Sequence, residues 1–308
     1  MHQSAKFALI DLGSSTVKLN VYEIETKKVL YKDAKTVNMA ENFYPNQLIT
    51  DEAMGRVLSV LKEYKRYLDS EKINNIKLVT TGVARKAKNA DTLVKSIKTP
   101  LNWDLEIITG EKEAELFYLG VTNDFSPELK LAAINVGGGS TEVTIGTKDS
   151  ITKRYSFPIG VSKLNEQFLQ VDPPTEEIIE EMFTAINDIL CFEQNNDFIP
   201  DVLIHTGGEL DYMEITKHTM EESLLSPSHP KQITKSKFVE KYNEIKRMPK
   251  SQLYEFMPQN PKWMDGAVAC TAIALAIADK LGVNLIVPSN KNLNDGLLLK
   301  YVEEEISL

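Results

Sequence analysis

One segment of the chain occurs twice in altered form. Ala8-Leu9-Ile10-Asp11-Leu12-Gly13-Ser14-Ser15-Thr16 returns as Ala132-Ala133-Ile134-Asn135-Val136-Gly137-Gly138-Gly139-Ser140-Thr141. Each copy is an apolar run ended by a polar residue, then a Gly/Ser loop, then a β-branched run. Loops of this kind leave backbone N–H groups free to face an anion. Two of them predict two half-domains that grip one phosphate-bearing ligand. The copies differ at one chemically important position, Asn135 for Asp11.

The pattern around each copy repeats as well. Residues 16–24 alternate with the period of a strand, and a polar turn at 25–28 returns the chain at Val29. A helix starting at Thr50 carries Ala53, Val57, Leu58, Leu61, Tyr64 and Leu68 on one face. Strand 76–80, helix 84–97, strand 105–108 and helix 111–119 complete a βββαβαβα order. The second half opens with strands 131–136, 141–146 and 151–157, then a short helix about 160–169 and a helix capped by Thr175 running to about Glu193. Strand 201–205, a polar helical insertion about 209–262, helix 266–281, strand 283–287 and helix 292–305 follow. This order predicts an α/β protein of duplicated ribonuclease-H-like fold. Its domains would be 1–124 and 125–308, with the last helix, about 290–308, free to pack back on the first.

Composition narrows the function. A length of 308 residues suits two domains. The net charge of −9 argues against a nucleic-acid binder but allows an anionic substrate where positive charge is local. The most apolar stretch, 267–278, is shorter than the roughly 20 residues that span a bilayer, so no membrane partner is expected. No signal peptide is read at the N-terminus. Cys191 and Cys270 lie far apart and suit buried thiols of a reducing, cytoplasmic protein. The four histidines show no HxxxH or HExxH spacing, which argues against zinc.

Three further segments can carry chemistry. Three consecutive glycines, Gly137-Gly138-Gly139, exceed what a hairpin needs and suit a ligand that approaches the main chain. Glu142 on the following strand can turn back toward that loop. Thr80-Thr81-Gly82-Val83-Ala84-Arg85 turns from strand to helix and ends in a guanidinium suited to oxyanions. Gly110-Glu111-Lys112-Glu113-Ala114 opens a helix with carboxylates, for which a helix-dipole role is the plain reading. Walker A and dinucleotide-binding patterns are absent.

In this order, and together with Phe157-Pro158-Ile159-Gly160-Val161-x-Lys163-Leu164 and Ser289-x-x-x-Leu293-x-x-Gly296-Leu297-Leu298, these motifs resemble the exopolyphosphatase/guanosine pentaphosphate phosphohydrolase (Ppx/GppA) family. The resemblance covers nearly the whole chain and is to the short, two-domain members, within the superfamily of actin and the sugar kinases. It implies an active site in the cleft between the domains. It places the general base at Glu113 and the arginine of the Thr-rich loop at Arg85. The phosphate loops fall on Gly13, Ser14 and Ser15 and on Gly137, Gly138, Gly139 and Ser140. Divalent metal, Mg²⁺, falls to Asp11, Asn135 and Glu142. The family usually has Asp at position 135, commonly Asn at 15, and small residues after Gly207-Gly208, where this chain has Glu209-Leu210-Asp211.

The implied reaction is hydrolysis of a terminal phosphoanhydride in polyphosphate or guanosine pentaphosphate, by a homodimer. The alternatives are a polyphosphate- or alarmone-binding protein with little turnover, and an actin-like phosphotransferase. One charge cluster stands apart. Residues 231–250 hold Lys231, Lys235, Lys237, Lys241, Lys246, Arg247 and Lys250 against Glu240 and Glu244. They are either a solvated helix face or a track for the distal part of a long polyphosphate.

Overall fold

The computed structural model describes residues 5–43, 46–193 and 198–306, with side chains to residue 302. The chain divides into two compact units, one running to Phe117 and resuming at Leu293, the other spanning Tyr118–Asn292.

The first unit opens with β1 (Lys6–Leu12), β2 (Thr16–Glu23) and β3 (Val29–Thr36), an antiparallel meander. Then come α1 (Asp51–Ser70), β4 (Ile76–Thr80), α2 (Gly82–Lys86), α3 (Ala90–Leu101), β5 (Leu105–Ile107) and α4 (Gly110–Thr122). β4 and β5 add in parallel, giving the order β3-β2-β1-β4-β5. Thr50 caps α1, its hydroxyl accepting from Ala53 N–H. β1 is apolar from Phe7 to Ile10 because both of its faces are covered. Ala8, Ile10 and Leu12 pack with α1 and α3, while Phe7 and Leu9 pack with residues 297–302 near the C-terminus.

The single helix expected over 84–97 is two. Asn89 breaks it, its amide bonding both the N–H and the carbonyl of Ile49. That pairing fixes the chain between α2 and α3 in a non-helical course.

The second unit repeats the plan. β6 (Leu131–Val136), β7 (Thr141–Thr147) and β8 (Ser150–Phe157) form the meander. α5 (Val161–Gln167), α6 (Glu176–Ile189), β9 (Val202–Thr206), α7 (Glu209–Ile215), β10 (Glu221–Glu222), β11 (Lys231–Thr234), α8 (Lys235–Ile245) and α9 (Lys250–Glu255) follow. A 3-10 turn at Pro261–Gly266 leads into α10 (Ala267–Leu281), β12 (Leu285–Pro288) and α11 (Leu293–Ile306), the last belonging to the first unit. The sheet order is β10-β11-β12-β9-β6-β7-β8. Its β8-β7-β6-β9-β12 portion has the topology of the first sheet. The chain is thus α/β with a duplicated actin-like ATPase-type fold.

The segment 209–262 is not purely helical, as its polarity suggested. Two short strands extend the sheet, with Ile233 buried against Ile286 on β12. α6 ends at Ile189, short of Glu193, where Leu190 turns into the core. Cys191, expected to be buried, is exposed. Among the described residues, no helix is long and apolar enough to cross a membrane.

Candidate functional site

The two-residue period of β1 sends Asp11 to the face that carries Phe7 and Leu9. There it accepts a hydrogen bond from Asn294 of α11 and stands opposite Lys18 of β2. Burial pushes the Asp11 carboxyl above its usual range; Lys18 opposes this, and the nearby charge of Glu113 adds to it. Beyond Asp11 the loop closes with Gly13 N–H on the Thr16 carbonyl at 2.9 Å. The carbonyls of Ser14 and Ser15 are engaged by N–H groups of Val37, Asn38 and Ala40. The N–H groups of Ser14 and Ser15 find no acceptor among the described residues.

Two helix starts converge on this loop. Gly82 opens α2 at φ +46°, and a Cβ there would lie 3.1 Å from Ser14 Oγ. From α2, Arg85 donates to the Ile108 carbonyl at 2.9 Å and to Glu113 Oε2 at 2.7 Å. Both side chains of that ion pair are about one-third exposed. The first unit therefore brings Asp11, Ser14, Arg85 and Glu113 together.

The second loop has the same closure, Gly137 N–H to the Ser140 carbonyl at 2.9 Å. Its carbonyls turn toward α5: Gly137 accepts from Val161 N–H, and Gly138 from Ser162 and Lys163 N–H. This leaves the N–H groups of Gly138, Gly139 and Ser140 without an acceptor among the described residues. Such a row of unengaged N–H groups is an anion-binding concavity. Gly160 makes the contact possible, because a Cβ there would stand 2.4 Å from the Gly137 carbonyl oxygen. The glycine run thus has two causes. Gly137 and Gly138 are hemmed in by Ser140 and Ser162, whereas a Cβ on Gly139 would meet nothing nearer than Lys163 Cε at 4.0 Å.

Asn135 and Glu142 sit directly opposite one another on β6 and β7, in the register at which Asp11 faces Lys18. Glu142 Oε1 accepts from Ser140 Oγ at 2.8 Å and Ser156 Oγ at 3.3 Å. Both offer oxygen atoms, the donor type that Mg²⁺ takes.

Six of the seven basic side chains at 231–250 have carboxylate partners, two of them sharing one, while Lys250 reaches the Leu169 carbonyl. Lys231 pairs with Glu222, Lys235 with Asp279, Lys237 with Glu221, and Lys241 with Glu244. Lys246 and Arg247 both pair with Glu176. Of its two readings, this matches the solvated helix face.

Sequence reasoning missed one constellation. His205 at the end of β9, Glu209 at the start of α7 and Cys270 in the first turn of α10 bring one ligand-capable atom each within 4.8 Å of one another. The signal was present as His205-x-x-x-Glu209, but its spacing spans a Gly207-Gly208 turn rather than a helix. Those glycines take φ +103° and +96°, a conformation that folds α7 back on β9. Burial lowers the His205 pKa to about 3, raises that of Glu209 to about 8, and raises that of the Cys270 thiol.

The fold has close counterparts. A Ppx/GppA phosphatase of Aquifex aeolicus superposes with a TM-score of 0.84 at 25% identity, over 96% of this chain and 99% of that one. An exopolyphosphatase of Cytophaga hutchinsonii shares the fold, with a TM-score of 0.75 at 24% identity and coverage of 97% and 98%. In sequence, exopolyphosphatase 2 of Mycobacterium tuberculosis is 22% identical over 96% of this chain and 98% of its own. A bifunctional 3-dehydroquinate synthase/phosphatase of Fusobacterium nucleatum is 27% identical over 97% of this chain, which spans only 47% of that protein. The model of the Ppx/GppA phosphatase family matches residues 20–305, and the chain belongs to that family.

Proposed function

We propose that the protein hydrolyses terminal phosphoanhydride bonds, releasing orthophosphate from inorganic polyphosphate or the 5′ γ-phosphate from guanosine pentaphosphate. The observation that carries this reading is the Arg85–Glu113 pair beside Asp11 and the first glycine loop. Phosphoryl transfer needs positioning and charge neutralisation more than covalent help from the protein. Glu113 takes a proton from the attacking water. Arg85 exchanges its bond to Glu113 for an oxygen of the terminal phosphoryl group. The unengaged N–H groups at Ser14 and Ser15, and those at Gly138, Gly139 and Ser140, receive non-bridging oxygens.

Asn135 and Glu142 would hold Mg²⁺, with Asp11 as the corresponding oxygen donor of the first unit. The ion, when bound, would neutralise charge on the phosphate oxygens. Asn135 brings an oxygen but no charge, so high Mg²⁺ is needed for full activity. A cytoplasmic homodimer is part of the same proposal.

The test is phosphate release from both substrates across a Mg²⁺ titration, with Glu113→Gln beside the unaltered protein. Tight substrate binding without phosphate release at any Mg²⁺ concentration would replace hydrolysis by the binding-protein reading.

A further inference from the structure

The His205–Glu209–Cys270 cluster has no part in the proposed hydrolysis. Cys270 Sγ is 3.3 Å from Glu209 Oε1 and 3.6 Å from His205 Nε2, and His205 Nδ1 is 3.5 Å from Glu209 Oε2. A tetrahedral ion with ligand bonds of roughly 2.0–2.3 Å separates its donors by about 3.3–3.8 Å. One ligand-capable atom of each residue lies within 4.8 Å of the others, so an inward shift of about an ångström or less would bring the three to that separation.

Two atoms of the cluster lack a hydrogen-bond partner: His205 Nδ1 and Glu209 Oε2. The two residues are 0% and 7% exposed. Buried polar atoms are ordinarily satisfied; these two face each other at 3.5 Å without a hydrogen bond between them. The fold around them is firm. β9 is buried along its whole length and α10 is the most deeply buried helix of the unit.

Glu209 and Cys270 also line a cavity of about 480 Å³, whose wall includes Gly137, Gly138, Gly207 and Trp263. An ion held by three protein donors would keep a position open toward that cavity, as zinc does where it binds water or an anion.

We propose that His205, Glu209 and Cys270 form a three-ligand site for a borderline-soft divalent cation, Zn²⁺ foremost, with its fourth position facing the cavity beside the second glycine loop. Thiolate and imidazole select such an ion over Mg²⁺, so this site and the proposed Mg²⁺ oxygens do not compete for one metal. Binding ionises the Cys270 thiol and the Glu209 carboxyl, and both protons leave to solvent.

Co²⁺ serves as the probe, added to protein stripped of metal by a chelator. A single equivalent should produce the near-ultraviolet thiolate-to-Co²⁺ charge-transfer band and the visible bands of a tetrahedral ion, and one equivalent of Zn²⁺ should abolish both. Cys191→Ser should keep the band and Cys270→Ser should lose it. Glu209→Gln and His205→Asn should each weaken Co²⁺ binding by more than the about 10- to 100-fold typical of an outer-shell partner. Circular dichroism checks that each variant is folded. Should Cys270→Ser fail to fold, the Glu209 and His205 variants decide. The proposal is overturned if the unaltered protein gives no thiolate band, if the band follows Cys191, or if both of those variants bind Co²⁺ as tightly as the parent. None of these readouts depends on phosphate release.

Discussion

Arg85 and Glu113 are joined at 2.7 Å, and the guanidinium nitrogen that makes this bond also donates to the Ile108 carbonyl at 2.9 Å. The backbone bond anchors the arginine whatever Glu113 does. In the proposed reaction the bond to Glu113 is the one exchanged for a phosphoryl oxygen, while the bond to Ile108 is kept.

Glu113→Gln should lower turnover by about 10²- to 10⁴-fold, the usual cost of losing a general base. Substrate binding should stay within a few-fold, because Arg85 keeps its anchor. Single-turnover phosphate release beside equilibrium binding separates the two, and near-full turnover would remove Glu113 from the role.

Arg85→Ala should slow turnover more than Arg85→Lys. Lysine keeps the charge but loses the planar, bidentate fork that arginine offers an oxyanion. Turnover unchanged in both variants would make Arg85 a helix-start residue without a part in the reaction.

Asn135→Asp should act in two opposed ways. With Mg²⁺ it should lower the concentration needed for half-maximal activity, since a charge is added beside the Glu142 oxygens. Without Mg²⁺ it places two carboxylates directly opposite on β6 and β7. Like charges in that position cost on the order of 0.2–1 kcal/mol. Thermal unfolding should thus show a lower midpoint in chelator and recovery with Mg²⁺. An unchanged metal dependence together with an unchanged midpoint would place position 135 away from both effects.

Much of this was legible in the chain because the repeat is read at the level of register. Asp11 to Lys18 and Asn135 to Glu142 are both seven residues apart, so a hairpin closed by one glycine had to set each pair face to face. What escaped the sequence depends on contacts between distant segments. Asn89 splits a helix by bonding Ile49. Ile233 becomes a strand residue only because Ile286 offers it an edge. His205, Glu209 and Cys270 come from three elements, and their meeting depends on a double-glycine turn that no helical or strand period describes. The glycine run was read in the sequence as room for a ligand to approach the main chain. Two of its members answer to the protein's own Ser140 and Ser162.

Gly160 and Gly139 should therefore respond differently to alanine. Gly160→Ala drives a Cβ to 2.4 Å from the Gly137 carbonyl oxygen and must displace the loop. Backbone on backbone cannot give as a side chain can, so both stability and phosphate release should fall. Gly139→Ala meets open space and should leave the unfolding midpoint within about 0.5 kcal/mol of the parent, allowing for helix-free alanine and glycine preferences. Equal destabilisation by the two would refute this account of the loop.

The last prediction concerns acid. His218 is 7% exposed, with Nδ1 2.9 Å from Thr216 Oγ1 and Nε2 without a partner among the described residues. Tyr212 and Phe238 stack around it, and Lys241 and Glu244 of α8 act on it electrostatically. Burial, aided by Lys241, lowers its pKa to about 4 from an unfolded value of 6.5. The folded state then binds fewer protons than the unfolded one. The stability that depends on a neutral His218 is complete above pH 6.5 and is lost as the pH falls through that value toward 4. The loss can reach about 1.4 kcal/mol per pH unit, or about 2 kcal/mol between pH 7 and pH 5. Urea unfolding of the parent and of His218→Gln at those two pH values isolates this residue from every other titrating group. The gap between the two proteins should narrow or reverse in sign by about that amount at pH 5, since glutamine does not titrate. A gap that stays constant from pH 7 to pH 5 would mean that His218 takes up its proton without leaving the fold.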